Sequence, residues 1–227
     1  MTNFLLALAA LAAVVNEIAE YKNNRRVVYF AKPAVMVFLF SWLYLYSGLN
    51  GPLIYFGIGI IFSLGGDVFL MLPNMDRWFL PALVLFLLAH VLYTVGLNFV
   101  IPPLNVFGVF LAISIALFVA QIYRRLSAGL HAKGLDRLRI PVLIYSIVIS
   151  LMWLSALQTI FDITWKTNAS LLVSLGATLF VASDIVLAWF RFVGPIKYGR
   201  MINLSCYHLG QIMLIVGAGL QFAQISR

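Results

Sequence analysis

The sequence predicts an all-α, polytopic membrane bundle of eight transmembrane helices, organised as a single domain over residues 1–227. The 227 residues are 63% hydrophobic and only 10% charged. Mean hydropathy is +1.03, well beyond what a water-soluble core has to bury. The apolar residues also fall into eight runs of roughly 20, the length a helix needs to cross a hydrocarbon core about 30 Å thick.

The first helix is expected near 2–20. Its opening stretch, Met1 to Val15, contains Ala-Leu-Ala-Ala-Leu-Ala-Ala and resembles a secretory signal. No Lys or Arg precedes it, however, and the first basic cluster follows it, which reverses a signal peptide's charge order. The second helix, 33–49, is read as opening at Lys32-Pro33, since proline suits a first helical turn. The third, 52–72, follows Asn50-Gly51-Pro52, and the fourth, 79–99, follows Pro73-Asn74. Pro102-Pro103 precedes the fifth, 104–123, and Ile140-Pro141 opens the sixth, 140–160. The seventh, 168–189, ends before Gly194-Pro195, and the eighth runs over 201–223. No residues remain for a soluble domain.

The net charge of +8 does not indicate a nucleic-acid partner, because the basic residues sit in short clusters between apolar runs. Lys22, Arg25, Arg26 and Lys32 follow the first helix, Arg77 the third, Arg124, Arg125, Lys133, Arg137 and Arg139 the fifth, and Arg191, Lys197 and Arg200 the seventh. The opposite side carries only Lys166 and Arg227. This asymmetry predicts that the basic loops face the cytoplasm and both termini face away from it. A bacterial inner membrane is the expected location, with anionic membrane lipids gathered at the basic rim. The one cysteine, Cys206, leaves neither an internal disulfide nor a Cys-based metal cluster available.

Ionisable side chains at membrane depth are costly unless they face the bundle interior, so each is a candidate functional residue. Asp67 lies in the third helix and Asp184 in the seventh, each roughly 8–10 Å inside the basic edge at 1.5 Å per residue. His208 falls in the same layer and His90 somewhat deeper. His90 shares a helical face with Tyr93, as Tyr207 does with Gln211 and His208 with Gln211. Two aspartates at matched depth in similar sequence favour function over structural hydrogen bonding. His90 divides evenly between the two, while packing is favoured for His208. Glu17, close to the end of the first helix beside Asn16, is expected to reach back to water. The aromatic residues are read mainly as lipid-facing filler and interface belts. Asp67 precedes His90 by nearly the spacing at which Asp184 precedes His208, a faint sign of a parallel four-plus-four repeat.

An ordered set of residues across these helices resembles the YhhN-like membrane proteins, which include the animal lysoplasmalogenases. The set comprises Lys32-Pro33; Ser63, Gly66-Asp67 and Leu70; Phe86, His90 and Tyr93; Pro141 and Tyr145; Gly176, Phe180 and Ser183-Asp184; and Tyr207 with Gln211. His208 lies outside that pattern. The resemblance implies an eight-helix hydrolase that cleaves the vinyl ether of a lysoplasmalogen, or a bond of a related lysolipid, into a fatty aldehyde and a glycerophospho-alcohol.

Such a reaction begins with protonation of the alkene carbon and continues with capture of an oxocarbenium ion by water. It needs an acid and a nearby negative charge but no nucleophilic serine or cysteine. Asp67 and Asp184 are the candidate catalytic pair, with either able to serve as the acid. Ser63, His90, Tyr93, Tyr145, Ser183, Tyr207, His208 and Gln211 are candidate supporting residues. Lys32 and the rim arginines are candidates to hold a lipid phosphate. No cofactor is expected, and the sequence sets no oligomeric state.

Two other readings fit the same residues. Asp67, Asp184, His90 and His208 offer donors for a metal-dependent hydrolase, although without compact ligand spacing. Alternatively, paired aspartates in a transporter relay protons during alternating access.

Overall fold

The computed structural model describes residues 3–100 and 105–223. Pro102, Pro103 and Arg227 lie outside the described residues. The helices are α1 (Asn3–Tyr21), α2 (Arg25–Ser47), α3 (Leu53–Met71), α4 (Met75–Leu97), α5 (Val106–Ala132), α6 (Arg139–Gln158), α7 (Thr167–Ala188) and α8 (Gly199–Phe222). Each of the eight overlaps a segment long and apolar enough to cross a membrane. Their outward side chains, such as Phe30, Phe107, Leu117 and Ile147, are themselves apolar and exposed. The chain is therefore a multi-pass membrane protein whose surface is matched to lipid.

Three helix starts and ends differ from the sequence expectation. α2 begins at Arg25, so Pro33 lies inside the helix rather than opening it. The basic residues Arg25, Arg26 and Lys32 are helical instead of forming a loop. Asn24 caps this helix, accepting the Val27 N–H on its side chain, and Gly48 ends it at φ 64°. α4 begins at Met75 and carries Pro81 within it. α5 continues through Arg124 and Arg125 to Ala132, well past the apolar run that predicted it.

Adjacent helices pair closely, α3 with α4, α7 with α8 and α1 with α2, while α4 also packs on α6 and α2 on α8. The α7–α8 pair is a small-residue interface. A Cβ on Gly210 would stand 2.9 Å from the Gly176 carbonyl and the Phe180 amide, so two backbones meet there. α3 and α4 instead interlock by setting rings into glycine notches, Tyr93 against Gly59 and Phe86 against Gly66.

The main core gathers Met36, Leu39, Trp42, Phe56, Tyr93, Met152, Phe180 and Leu214. A smaller cluster of Phe79, Leu126, Leu130, Val142 and Phe192 packs α5 against the basic end. Many aromatics, among them Phe4, Phe30, Phe107 and Phe110, are exposed on the outside of the bundle as expected, while a smaller set fills the core. Trp42, Tyr93, Phe56, Phe180 and Phe192 are among the largest fully buried side chains, because the gaps between glycine-bearing helices are filled by rings.

Candidate active site between two cavities

α2, α3 and α8 bring together a first polar cluster. Lys32 Nζ lies 2.9 Å from Asp67 Oδ1, and the Tyr207 hydroxyl donates to Asp67 Oδ2 at 2.7 Å. Both oxygens of Asp67 are thereby engaged, and the residue is 1% exposed. Burial of a carboxylate at this depth is tolerable because a cation and a hydroxyl replace its water.

α4, α6 and α7 build a second cluster. The Tyr145 hydroxyl lies 2.5 Å from Asp184 Oδ2 and 2.9 Å from His90 Nε2. A phenol has one hydrogen to give. With that hydrogen donated to Asp184, Tyr145 accepts from the His90 Nε2–H, giving a His90–Tyr145–Asp184 chain. His90 Nε2 itself is 3.6 Å from Asp184 Oδ2. His90 is fully buried, and among the described residues its Nδ1 meets no hydrogen-bond partner.

An aromatic wall separates the two clusters. Phe180 meets His90 edge-on with centroids 4.7 Å apart and Tyr207 with centroids 5.3 Å apart. Phe86 meets Tyr207 from another side.

The remaining predicted residues are distributed unevenly. Tyr93 donates to Gln211 Oε1 at 3.1 Å and stands 3.5 Å from the Ser63 hydroxyl, joining α3, α4 and α8. Ser183 turns toward α8, where the Asn203 amide donates to its hydroxyl at 2.8 Å. His208 is buried beside the Tyr207 ring, and among the described residues neither of its ring nitrogens meets a hydrogen-bond partner. Glu17, expected at water, is half-buried and accepts from Ser205. Among the described residues, no three His, Cys, Asp or Glu side chains converge in a way that could hold a metal ion. The four donors named for a metal-dependent hydrolase do not form a ligand set.

Two cavities flank the clusters. A narrow slot of about 80 Å³ is lined almost wholly by apolar side chains, including Phe79, Leu83, Phe86, Ile149 and Val181, with Asp184 and Tyr145 among them. Asp184 is the more open carboxyl, its side chain 18% exposed against 1% for Asp67. The second cavity, of about 410 Å³, lies at the basic end and is lined by Glu20, Arg25, Tyr29, Lys32, Arg200 and Asn203. Leu70 and Leu187 line both, so the cavities adjoin across these two side chains.

Sequence reasoning missed Glu20 and Asn203. A signal for Asn203 was present, since Arg200, Asn203, Tyr207 and Gln211 recur at the three- and four-residue spacing of one helical face. Glu20 gave none, because its partners Arg25 and Arg200 lie on other helices.

Residues 27–218 match the YhhN family, a stretch holding both aspartate clusters. Over 166 residues, 71% of this chain, the sequence is 27% identical to the lysoplasmalogenase TMEM86A of Bos taurus. It is 26% identical over 165 residues to the lysoplasmalogenase TMEM86A of Homo sapiens. An 80-residue stretch, 35% of this chain and 30% of the relative, is 35% identical to the lysoplasmalogenase TMEM86B of Mus musculus. The chain spans 63% of the length of the bovine and human relatives. No solved structure matches this chain. With the match reaching from the second helix to the eighth, the chain belongs to the YhhN family.

Proposed function

We propose that this protein is a membrane hydrolase acting on the vinyl ether bond of a lysoplasmalogen, or of a closely related lysolipid, with Asp184 as the acid. One observation carries the assignment of roles. Of the two intramembrane carboxyls, Asp184 alone opens onto an apolar slot, whereas Asp67 has both oxygens engaged by Lys32 and Tyr207. The similarity to proteins named lysoplasmalogenases supports the substrate class.

An alkenyl chain lying in the slot brings its double bond to Asp184. The carboxyl proton passes to the alkene carbon remote from the ether oxygen, leaving an oxocarbenium ion beside the newly formed carboxylate. That carboxylate stabilises the cation and accepts a proton from the water that adds to it. The resulting hemiacetal breaks its bond to the glycerol oxygen, releasing a fatty aldehyde and the glycerophospho-alcohol. One water is consumed and Asp184 regains its proton.

Tyr145 holds Asp184 Oδ2 and is itself held by His90, so the other carboxyl oxygen points its proton into the slot. Asp67 serves as a positioning residue, fixing Lys32 and Tyr207 behind the Phe86–Phe180 wall. The basic end of the bundle, with its rim of Lys and Arg, faces the cytoplasm, and the lipid is drawn from that leaflet.

The test is a screen of matched vinyl-ether, alkyl-ether and ester lysolipids with purified protein in nanodiscs. Free aldehyde from the vinyl-ether lipid alone is the expected result. Proton-coupled flux across proteoliposomes with no product from any of the lipids would replace the hydrolase with the transporter reading.

A further inference from the structure

We propose that the cavity at the basic end is the binding site for the phosphodiester of the lysolipid, with Arg25 and Arg200 as its ligands and Glu20 as the residue that positions them. This rests on the hydrolase reading and names what that reading leaves open, namely how the head group is recognised.

The Glu20 side chain is 4% exposed, yet it reaches two guanidinium groups, Arg200 Nη2 at 2.5 Å and Arg25 Nη1 at 3.5 Å, through one oxygen, Oε1. The two arginines approach it from different helices and are themselves about half exposed, 52% and 55%. A guanidinium carries five N–H donors in a planar fork. One contact to Glu20 fixes each fork and leaves further donors for a ligand. Paired forks are the usual means of gripping a phosphate.

Charge sets the ligand class. Among the lining residues, Arg25, Arg200 and Lys32 are cationic and Glu20 is anionic. Lys32 is committed to Asp67 and contributes no free charge. One positive charge remains uncompensated, which suits a phosphodiester monoanion. Position gives the same answer. The cavity adjoins the apolar slot across Leu70 and Leu187, so one lipid can place its phosphate on the arginines, its glycerol over the two leucines and its alkenyl chain beside Asp184.

The test compares two substrates, a 1-alkenyl lysophospholipid and the matching 1-alkenylglycerol that lacks the phosphate. Wild-type protein is expected to prefer the phospholipid in kcat/KM by tenfold or more. Arg200→Gln and Arg25→Gln are each expected to cut that preference by about tenfold, the scale of one charge-assisted hydrogen bond. The loss should appear mainly in KM. A preference unchanged in both variants would overturn the assignment. If Arg200→Gln fails to fold, Arg200→Lys retains the charge without the fork and is expected to lose part of the preference.

A second measurement is independent of turnover. Glycerophosphoethanolamine should raise the thermal midpoint of the wild-type protein, glycerol should not, and Arg200→Gln should abolish the shift. The shift would persist even if no aldehyde were released from any lipid, so failure of the hydrolase reading is separable from failure of this site. No shift in the wild-type protein would sink the proposal. An equal shift from inorganic phosphate at the same concentration would assign the cavity to free phosphate and overturn the head-group reading.

Discussion

Lys32 Nζ sits 2.9 Å from Asp67 Oδ1, and both side chains are shielded from solvent. This contact, between the second and third helices, makes the two intramembrane aspartates unlike each other. Asp67 is held in an ion pair, while Asp184 remains open to an apolar slot.

The first prediction concerns that ion pair. Removing one partner of a buried pair leaves the other charge uncompensated, at a cost of about 3–5 kcal/mol. Asp67→Asn alone should therefore lower the thermal midpoint sharply. Combining it with Lys32→Met should restore much of the loss. A double variant no more stable than the single one would show that Lys32 and Asp67 are not coupled.

The second concerns the His90–Tyr145–Asp184 chain. Tyr145→Phe keeps the ring and removes the hydroxyl that touches both His90 and Asp184. Loss of a group orienting an acid is expected to lower kcat by about 10²-fold, with KM little changed. A rise in KM at constant kcat would instead make Tyr145 a contact for the chain.

The third addresses the spacing of α7 and α8, which sets Asp184 relative to Tyr207. A Cβ at Gly210 would meet the backbone of α7 at 2.9 Å, and backbone cannot rotate away. Gly210→Ala should destabilise the protein by about 1–3 kcal/mol. Gly194, with nothing within 4 Å of its added Cβ, is the control, and Gly194→Ala should be close to neutral.

The fourth uses the slot. Ile149 and Val181 both line it. Val181→Phe shortens the space open to an alkenyl chain and should reduce turnover of long-chain substrates more than short-chain ones, by about tenfold or more. Equal losses at all chain lengths would place the chain elsewhere.

The eight helices were legible because apolar runs of membrane length have one stable solution in lipid. Their edges were less so wherever charge entered the helix. Arg25 and Lys32 read as loop residues, yet Arg25 pairs with Glu20 and Lys32 with Asp67, and these pairings let α2 extend past Pro33 to the basic end. Arg124 and Arg125 misled in the same way, because α5 outlasts its apolar run.

The presence of Asp67 and Asp184 inside apolar helices was legible, because both fall within runs of membrane length. Their different surroundings, Lys32 and Tyr207 at Asp67 and Tyr145 at Asp184, were not, because they depend on which helix lies beside each carboxyl. Tyr145 and His90 are 55 positions apart, and only the packing of α4 on α6 brings them together. Among the described residues, none stands within hydrogen-bond reach of the His208 ring nitrogens.

The central claim is tested most directly by measuring free aldehyde released from a 1-alkenyl lysophospholipid by the wild-type protein and by Asp184→Asn, each in nanodiscs and each confirmed to be folded by its thermal midpoint. Steady aldehyde release by the wild type, with none above background from a folded Asp184→Asn, is the predicted result. Near-normal release by that variant would contradict the account.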